Sequence, residues 1–264
     1  MSNIASAFTA ADGSRKKAFI PFITVGDPSL AVSEELVIQM AVAGADLIEL
    51  GIPFSDPTAE GPVIQDANIR ALANKVTTDD VFALVHRVRE RGCTVPLVFM
   101  TYANVVYSYG IERFADAEAA AGMDGIILPD VPFEEKQEFA VPFAERGLDV
   151  VSLIAPTSNE RIRMIAREAT GFVYCVSSLG VTGVRSQITT DIDAMVALLR
   201  EATDVPVAVG FGISTPEQAA SMAGKSDGAI VGSAIVKIIA RYGDDALPHV
   251  IDYVREMAAA THGA

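Results

Sequence analysis

Eight short apolar segments recur along the chain, each rich in aliphatic or β-branched residues and ending near glycine, proline or aspartate. Their apolar residues are nearly continuous, which is typical of strands in a parallel sheet that is buried on both faces. The pattern therefore predicts eight buried parallel strands. They cover residues 18–26, 45–53, 95–102, 124–130, 149–156, 171–178, 205–214 and 227–234.

Segments with a period of 3.6 residues lie between these strands, and several end in glycine, as helix C-termini often do. Examples are residues 33–45, 79–92, 112–122 and 216–224. Eight strand–helix units in 264 residues predict an α/β fold of the (β/α)8 (TIM) barrel type, with a doubly wound open sheet as the alternative. No linker or low-complexity segment is apparent, so residues 1–264 are expected to form a single domain. A short amphipathic helix over residues 2–11 is expected to cap the bottom of the barrel.

Composition narrows the classes of function. The net charge of −14 argues against nucleic acid as a partner, because no basic face remains to neutralise phosphates. Cys93 and Cys175 show no CxxC or Cys/His spacing, so neither a disulfide framework nor a zinc site is predicted, and no metal is expected. No apolar run approaches the roughly 20 residues of a membrane span, and the N-terminus lacks the order of a signal peptide. We therefore expect a cytoplasmic protein.

Glu49 is unusual because it interrupts the apolar run of residues 47–52. A carboxylate is rarely placed in a core without a reason. Burial would raise its pKa, so that the group could both give and take a proton near pH 7. The alternative is a buried glutamate that a neighbouring hydroxyl or tyrosine satisfies. Asp56 and Glu60 follow in the loop after this strand, where charged residues are usually just solvated.

Glycine-rich loops follow the last three predicted strands, at residues 179–183, 210–214 and 231–234. In many barrels a phosphate lies between the loops after strands 7 and 8, held by a helix N-terminus. Gly212, Gly232 and Ser233 are placed for that role, because glycine lets backbone N–H groups approach an anion closely. The alternative is that these loops are only tight turns. Neither a Walker A pattern nor GxGxxG is present, so nucleotides are not indicated.

The segments FIPFITVGDP, ELGIPFSDPTAEGPVIQ, MTYAN, GVTG, GFGIS and GSAIVKII occur in this order between residues 19 and 239. Together they resemble the tryptophan synthase alpha subunit family. The resemblance implies retro-aldol cleavage of indole-3-glycerol phosphate into indole and glyceraldehyde 3-phosphate. It also implies that indole passes to a beta subunit that carries pyridoxal phosphate, within an alpha2beta2 heterotetramer. No cofactor is then expected in this chain.

The resemblance also implies roles for individual residues by matching position. Glu49 would be the general acid–base that protonates indole C3 and takes the proton of the glycerol hydroxyl. Glu60 would face the indole N–H and stabilise the positive charge that develops on the ring. The substrate pocket would include Phe22, Met100, Ile154, Tyr174, Thr182 and Phe211. Phosphate would bind at Gly183, Gly212, Gly232 and Ser233, and the beta subunit would contact Pro53, Asp56 and Pro57.

The loop after strand 2 departs from the family's SDPLADGP, because Thr58 and Glu60 replace leucine and aspartate. One added methylene moves the carboxylate by roughly 1.5 Å, and a misplacement of about 1 Å can cost on the order of 100-fold in rate. In one interpretation the loop has shifted so that Glu60 still reaches the indole nitrogen. In the other, Glu60 is out of register and the chain cleaves poorly unless its partner reorders the loop.

Two other functions remain as alternatives on the sequence alone. The chain could act mainly as a non-catalytic activating partner of the beta subunit, although such a module needs neither Glu49 nor a phosphate rim. It could also be another phosphosugar barrel isomerase, but such enzymes typically lack the PFSDP loop.

Overall fold

Eight parallel strands close into a barrel in the computed structural model, which describes residues 2–176, 191–210 and 212–264. Neighbours in the barrel follow chain order, and the last strand pairs with the first. The prediction of a (β/α)8 barrel is therefore confirmed. The strands are β1 (Ala18–Thr24), β2 (Ile48–Gly51), β3 (Leu97–Met100), β4 (Gly125–Ile127), β5 (Asp149–Ile154), β6 (Val173–Val176), β7 (Val207–Gly210) and β8 (Gly228–Val231).

Helices connect the strands and cover the outside of the barrel. The predicted helices at 33–45, 79–92, 112–122 and 216–224 correspond to helices within a residue or a few of those bounds. The helices are α1 (Leu30–Val42), α2 (Pro62–Ala73), α3 (Thr78–Glu90), α4 (Ala103–Tyr109), α5 (Ile111–Ala121), α6 (Gln137–Ala144), α7 (Asn159–Arg167), α8 (Ile192–Arg200), α9 (Pro216–Lys225), α10 (Ser233–Tyr242) and α11 (Ala246–His262).

Several of these helices have an N-cap residue whose side chain accepts a hydrogen bond from a first-turn amide. Thr77 and Thr215 each form a capping box with the residue three positions on, which satisfies two backbone donors at the start of α3 and α9. The start of α10 differs, because its N-cap is Gly232, which has no side chain to accept from the first-turn amides. This helix therefore presents its N–H groups at the end of β8.

The segment before β1 closes the bottom of the barrel. It forms a 3-10 helix, Ile4–Phe8, which is shorter than the helix predicted over residues 2–11 because a turn at 10–14 reverses the chain. The Phe8 ring lies 5.9 Å from that of Phe172, just before β6, and the Asn3 amide donates to Asp124, just before β4. These contacts are at the N-terminal ends of strands, so the opposite rim is left for a functional site.

Two layers of apolar side chains build the core, because successive strand residues point to opposite faces. Inward residues such as Ile20 and Val98 fill the barrel, and outward residues such as Phe19 and Leu50 pack under the helices. A third cluster sits at the C-terminal rim and joins β1, α2 and α10. Its buried members are Phe22, Ile64, Ala67 and Val236.

Both cysteines are buried and neither forms a disulfide. Within residues 2–176, 191–210 and 212–264, no helix is long and apolar enough to cross a membrane.

Candidate active site

Glu49 points into the barrel from the middle of β2. Its strand neighbours Ile48 and Leu50 belong to the outer layer, so alternation turns the Glu49 side chain inward. The residue is only 1% exposed, and its Oε1 atom has no hydrogen-bond partner among the described residues. Burial raises the pKa of Glu49 to about 8. At neutral pH this carboxyl group is mostly protonated and can donate a proton.

Glu60 is buried rather than solvated, although it lies in the loop between β2 and α2. Burial raises the pKa of its carboxyl group to about 7, while a hydrogen bond from Asn68 Nδ2 to Oε2, 3.0 Å long, acts to lower it. Gln65 Nε2 donates to the Glu60 carbonyl at 2.8 Å. Two residues of α2 therefore hold Glu60, whose carboxyl group can change its charge near neutral pH.

Tyr174, on β6, lies within electrostatic range of both carboxylates. Burial raises the pKa of its phenol well above the usual value, and the charges of Glu49 and Glu60 raise it further. Tyr102 is a second such phenol, since burial and then Glu60 raise its pKa. The Ala59 amide donates to the Tyr102 hydroxyl at 3.2 Å, which ties the loop to the end of β3. The two glutamates thus face one region of the barrel mouth, next to neutral phenols.

An apolar wall stands beside this region. Phe22, Met100 and Tyr174 all pack with the inward or rim clusters. The Phe22 ring covers the end of β2, because a Cβ built on Gly51 would lie 2.7 Å from Phe22 Cζ. It also reaches the start of α10, where a Cβ on Gly232 would lie 3.3 Å from the ring.

Ile154 is not brought into this wall. Its side chain is fully buried in the outer layer, where it pairs in register with Cys175. The preceding residue, Leu153, pairs with Tyr174 and packs against the inner cluster. Strand β5 therefore presents Leu153 to the barrel interior, at the position where the sequence suggested Ile154.

The candidate phosphate rim lies at the ends of two neighbouring strands. Gly232 and Ser233 begin α10 directly after β8, with no side-chain cap on the helix amides. Gly212, just after β7, has a φ of +81°, a left-handed conformation that favours glycine. No side chain among the described residues caps the first-turn amides of α10, so these amides and the turn at Gly212 form an electropositive edge suited to an anion.

The remaining predicted residues fall into two groups. Asp56 is exposed on the loop after β2, Pro57 is half-buried, and Pro53 is buried at the loop's start. Thr182, Gly183 and Phe211 lie outside the described residues. In the described part of the chain, no three histidine, cysteine or acidic side chains are grouped so that they could hold a metal ion.

Sequence reasoning missed two contributors to the site. Asn68 contacts the Glu60 carboxylate, and Asp130 accepts hydrogen bonds from the Ala103 amide at 3.0 and 3.2 Å, which caps α4 beside the rim. A pattern for the first was present, because Asn68 falls on the same helical stripe as the apolar Ile64 and Ala71. A polar residue on such a stripe usually has a buried partner.

A closed (β/α)8 barrel with an acid–base carboxyl group and an anion-binding edge at the C-terminal ends of its strands defines a barrel enzyme that acts on a small anionic substrate. The chain matches the family described as "Tryptophan synthase alpha chain" over residues 8–262, and it belongs to that family. This family provides the lyase subunit that cleaves indole-3-glycerol phosphate in tryptophan biosynthesis.

Individual relatives match this chain along nearly their whole lengths. The tryptophan synthase alpha chain of Geobacter sulfurreducens is 51% identical over 243 residues, which are 92% of this chain and 92% of that protein. The one from Halalkalibacterium halodurans is 47% identical, with 91% of each chain covered. Among solved structures, tryptophan synthase subunit alpha from Legionella pneumophila has a TM-score of 0.90 at 38% identity, with 100% of each chain covered. Tryptophan synthase from Mycobacterium tuberculosis gives 0.89 at 34% identity, covering 99% of this chain and 98% of that one.

Proposed function

We propose that this chain cleaves indole-3-glycerol phosphate to indole and glyceraldehyde 3-phosphate by a retro-aldol reaction. Glu49 carries the proton transfers. Its neutral carboxyl group gives a proton to indole C3, and the resulting carboxylate takes the proton of the hydroxyl on the adjacent glycerol carbon. The bond between C3 and that carbon then breaks, its electrons restore the indole ring, and the carbon becomes the aldehyde.

Glu60 stabilises the charge that this sequence creates. Protonation at C3 makes the indole ring cationic at its nitrogen, and an anion aimed at that N–H lowers the energy of the intermediate. The carboxylate is held in a buried position, where an electrostatic interaction is stronger than in water. This role requires ionised Glu60 and protonated Glu49 in the same molecule, which their different environments favour.

Other residues at the C-terminal rim of the barrel bind the indole ring and the phosphate of the substrate. Phe22, Met100, Leu153 and Tyr174 supply an apolar wall for the indole ring, and the amides at Gly212, Gly232 and Ser233 hold the phosphate. From the family resemblance we add Thr182 and Phe211 to the substrate contacts and Gly183 to the phosphate contacts.

We also propose how the chain works with its partner. Indole passes to a beta subunit that carries pyridoxal phosphate, in an alpha2beta2 heterotetramer, while this chain needs no cofactor of its own. The exposed Asp56 and the neighbouring Pro57 suit a contact with that subunit, with the buried Pro53 supporting the loop from beneath. We further propose that residues 1–264 act as one domain in the cytoplasm.

The proposal depends on Glu49, which is buried and has a pKa of about 8, and whose Oε1 atom has no hydrogen-bond partner in the part of the chain that the structure describes. Glu49→Gln keeps the shape of the side chain and removes its proton transfer. We expect the variant to bind indole-3-glycerol phosphate by calorimetry with little change in affinity, and to cleave it at least about 100-fold more slowly. Cleavage at the natural rate would contradict the assignment, and loss of binding would show that Glu49 acts in substrate recognition instead.

A further inference from the structure

Asn68 occupies a buried position on α2 that apolar residues would otherwise fill. It is 4% exposed and lies on the same stripe as Ile64 and Ala71. Its amide makes three hydrogen bonds. Nδ2 donates to Glu60 Oε2 at 3.0 Å and to the Ile64 carbonyl at 2.8 Å, and Oδ1 accepts from the Phe54 amide at 2.8 Å. A buried amide with three partners has one defined orientation.

These bonds connect the two ends of the loop that follows β2. Phe54 stands at the start of the loop and Glu60 near its end, so one side chain fixes both. Two of the three partners are backbone groups, and the third, the Glu60 carboxylate, is ionisable. We propose that Asn68 is the positioning residue that fixes the Glu60 carboxylate at the barrel mouth. Its meaning for catalysis rests on the proposed function.

Helix α2 is itself firmly anchored, so Asn68 is a fixed point. Arg70 forms a two-bond ion pair with the buried Asp27, at 2.7 Å from Nε and 2.8 Å from Nη2. Asn74 Nδ2 donates to the carbonyls of Gly26 and Pro28. Both contacts bind α2 to the loop after β1. On its other side α2 packs against Phe22 and α10 through the rim cluster.

The length of the side chain at position 60 matches this arrangement. With the backbone in place, an aspartate would end roughly 1.5 Å short of the Glu60 carboxylate, which would stretch the 3.0 Å contact beyond hydrogen-bond range. The extra methylene of Glu60 is therefore what lets the carboxylate reach Asn68.

The amide also affects which form of Glu60 is present. A donor to a carboxylate favours the charged form and so opposes the effect of burial on the pKa of Glu60. Among the described residues, the titratable groups that interact with Glu60 are the phenols of Tyr102 after β3 and Tyr174 on β6, and Glu49 lies near the same Tyr174. Both phenols have raised pKa values and stay neutral near pH 7, so they add no charge of their own there.

The test is a site-specific titration of Glu60 in the full chain. Protein labelled with 13C at the glutamate δ-carbons is titrated by NMR, and the Glu60 signal is identified as the one that Glu60→Gln removes. Two variants are compared with the natural chain. Asn68→Ala deletes the whole amide, and Asn68→Leu removes the donor while it keeps a side chain of similar size and adds no charge, so that a second measurement is available if the first variant folds poorly.

We expect the pKa of Glu60 to rise by about one unit or more in both variants. The acid limb of the pH profile for kcat/KM should rise with it. Gln65→Ala is the matched control, because it removes a bond to the Glu60 carbonyl but not to the carboxylate; its Glu60 pKa should stay at the natural value. If Asn68 only anchored the loop, all three variants would titrate alike.

The outcomes separate this inference from the proposed function. An unchanged Glu60 titration in Asn68→Leu overturns the positioning role and leaves the proposed reaction standing. A raised Glu60 pKa with an unmoved acid limb supports the contact with Asn68 and overturns the catalytic role given to Glu60. Parallel shifts of both support the inference together with the proposed role.

Discussion

Phe22 and Glu49 are register partners on β1 and β2, so their side chains leave adjacent strands on the same face, toward the barrel interior. In the proposed reaction, Phe22 supplies an aromatic surface and Glu49 supplies a proton. The Phe22 ring extends over Gly51, the residue two positions beyond Glu49. A planar substrate that packs against this ring therefore meets the Glu49 carboxyl group without further rearrangement of the two strands.

Gly51→Ala should disturb this arrangement. The new Cβ would lie 2.7 Å from Phe22 Cζ and 2.9 Å from Cε2, so the ring must move. Because a misplacement of about 1 Å near the reacting groups can cost on the order of 100-fold, we expect kcat/KM for cleavage to fall by that order. Steady-state kinetics of the variant would check this.

Gly224→Ala provides the control for that substitution. Gly224 lies in α9, and a methyl group added there would meet no atom within 4 Å, so alanine should leave cleavage unchanged and stabilise the helix by up to about 1 kcal/mol. Natural activity in Gly51→Ala would mean that the Phe22 ring does not position the substrate.

The rate of cleavage should depend on pH through both glutamates. Glu60 with a pKa of about 7 must be ionised, and Glu49 with a pKa of about 8 must be protonated. We therefore expect a narrow bell-shaped profile of kcat/KM, with an acid limb near 7 and an alkaline limb near 8. In Glu60→Gln the acid limb should disappear while the alkaline limb remains. A profile that is flat between pH 6 and 9 would contradict both assignments.

Burial of Glu49 should also make stability depend on pH. Its pKa rises from 4.5 in the unfolded chain to about 8 in the folded one, so between these values the folded state binds more protons. The free energy of unfolding should therefore fall as pH rises from about 4.5 to about 8, by on the order of 5 kcal/mol from this residue.

Glu49→Gln isolates that contribution, because the buried Glu118, whose pKa burial also raises, acts in the same direction in both proteins. Denaturant unfolding at pH 5 and pH 9 should show the variant gaining stability relative to the natural chain at the higher pH. Substitution of the exposed Glu256 by glutamine should not. Equal pH dependence in natural chain and Glu49→Gln would show that Glu49 ionises normally.

Much of the architecture could be predicted from hydrophobic periodicity, since parallel strands buried on both faces leave long apolar runs. The same continuity hides which face a residue takes, because both faces are apolar. The expectation that Ile154 lies in the pocket wall comes from the family resemblance, and the apolar run of β5 offers no pattern to check it, whereas the register of β5 with β6 turns Leu153 inward. A single carboxylate such as Glu49 interrupts the apolar run, so it can be recognised in the sequence as a candidate functional residue.

The burial of Glu60 in its loop could not be predicted from the sequence, for a different reason. Whether Glu60 is solvated depends on α2, where Asn68 donates to its carboxylate, and on the end of β3, where Tyr102 accepts from the Ala59 amide. Nothing local to residues 53–60 specifies those contacts. The polar Asn68 on the apolar stripe of α2 indicates a buried partner, but only the packing of the helix against the loop identifies that partner as Glu60.

Glu60→Asp tests whether this loop is matched to its own side chain. The shorter carboxylate should lose its bond to Asn68, and we expect cleavage to fall by about 10-fold to 100-fold. Measuring kcat and KM separately should place the loss mainly in kcat. A large gain in turnover would instead show that Glu60 is out of register in the natural chain.

The lyase assignment is tested directly by measuring the glyceraldehyde 3-phosphate that the purified chain releases from indole-3-glycerol phosphate, alone and with its cognate beta subunit. We expect slow release by the chain alone, a strong increase with the partner, and loss of release under both conditions in Glu49→Gln. Absence of release by the folded natural chain, with and without the beta subunit, would contradict the lyase assignment and leave an activating partner as the function.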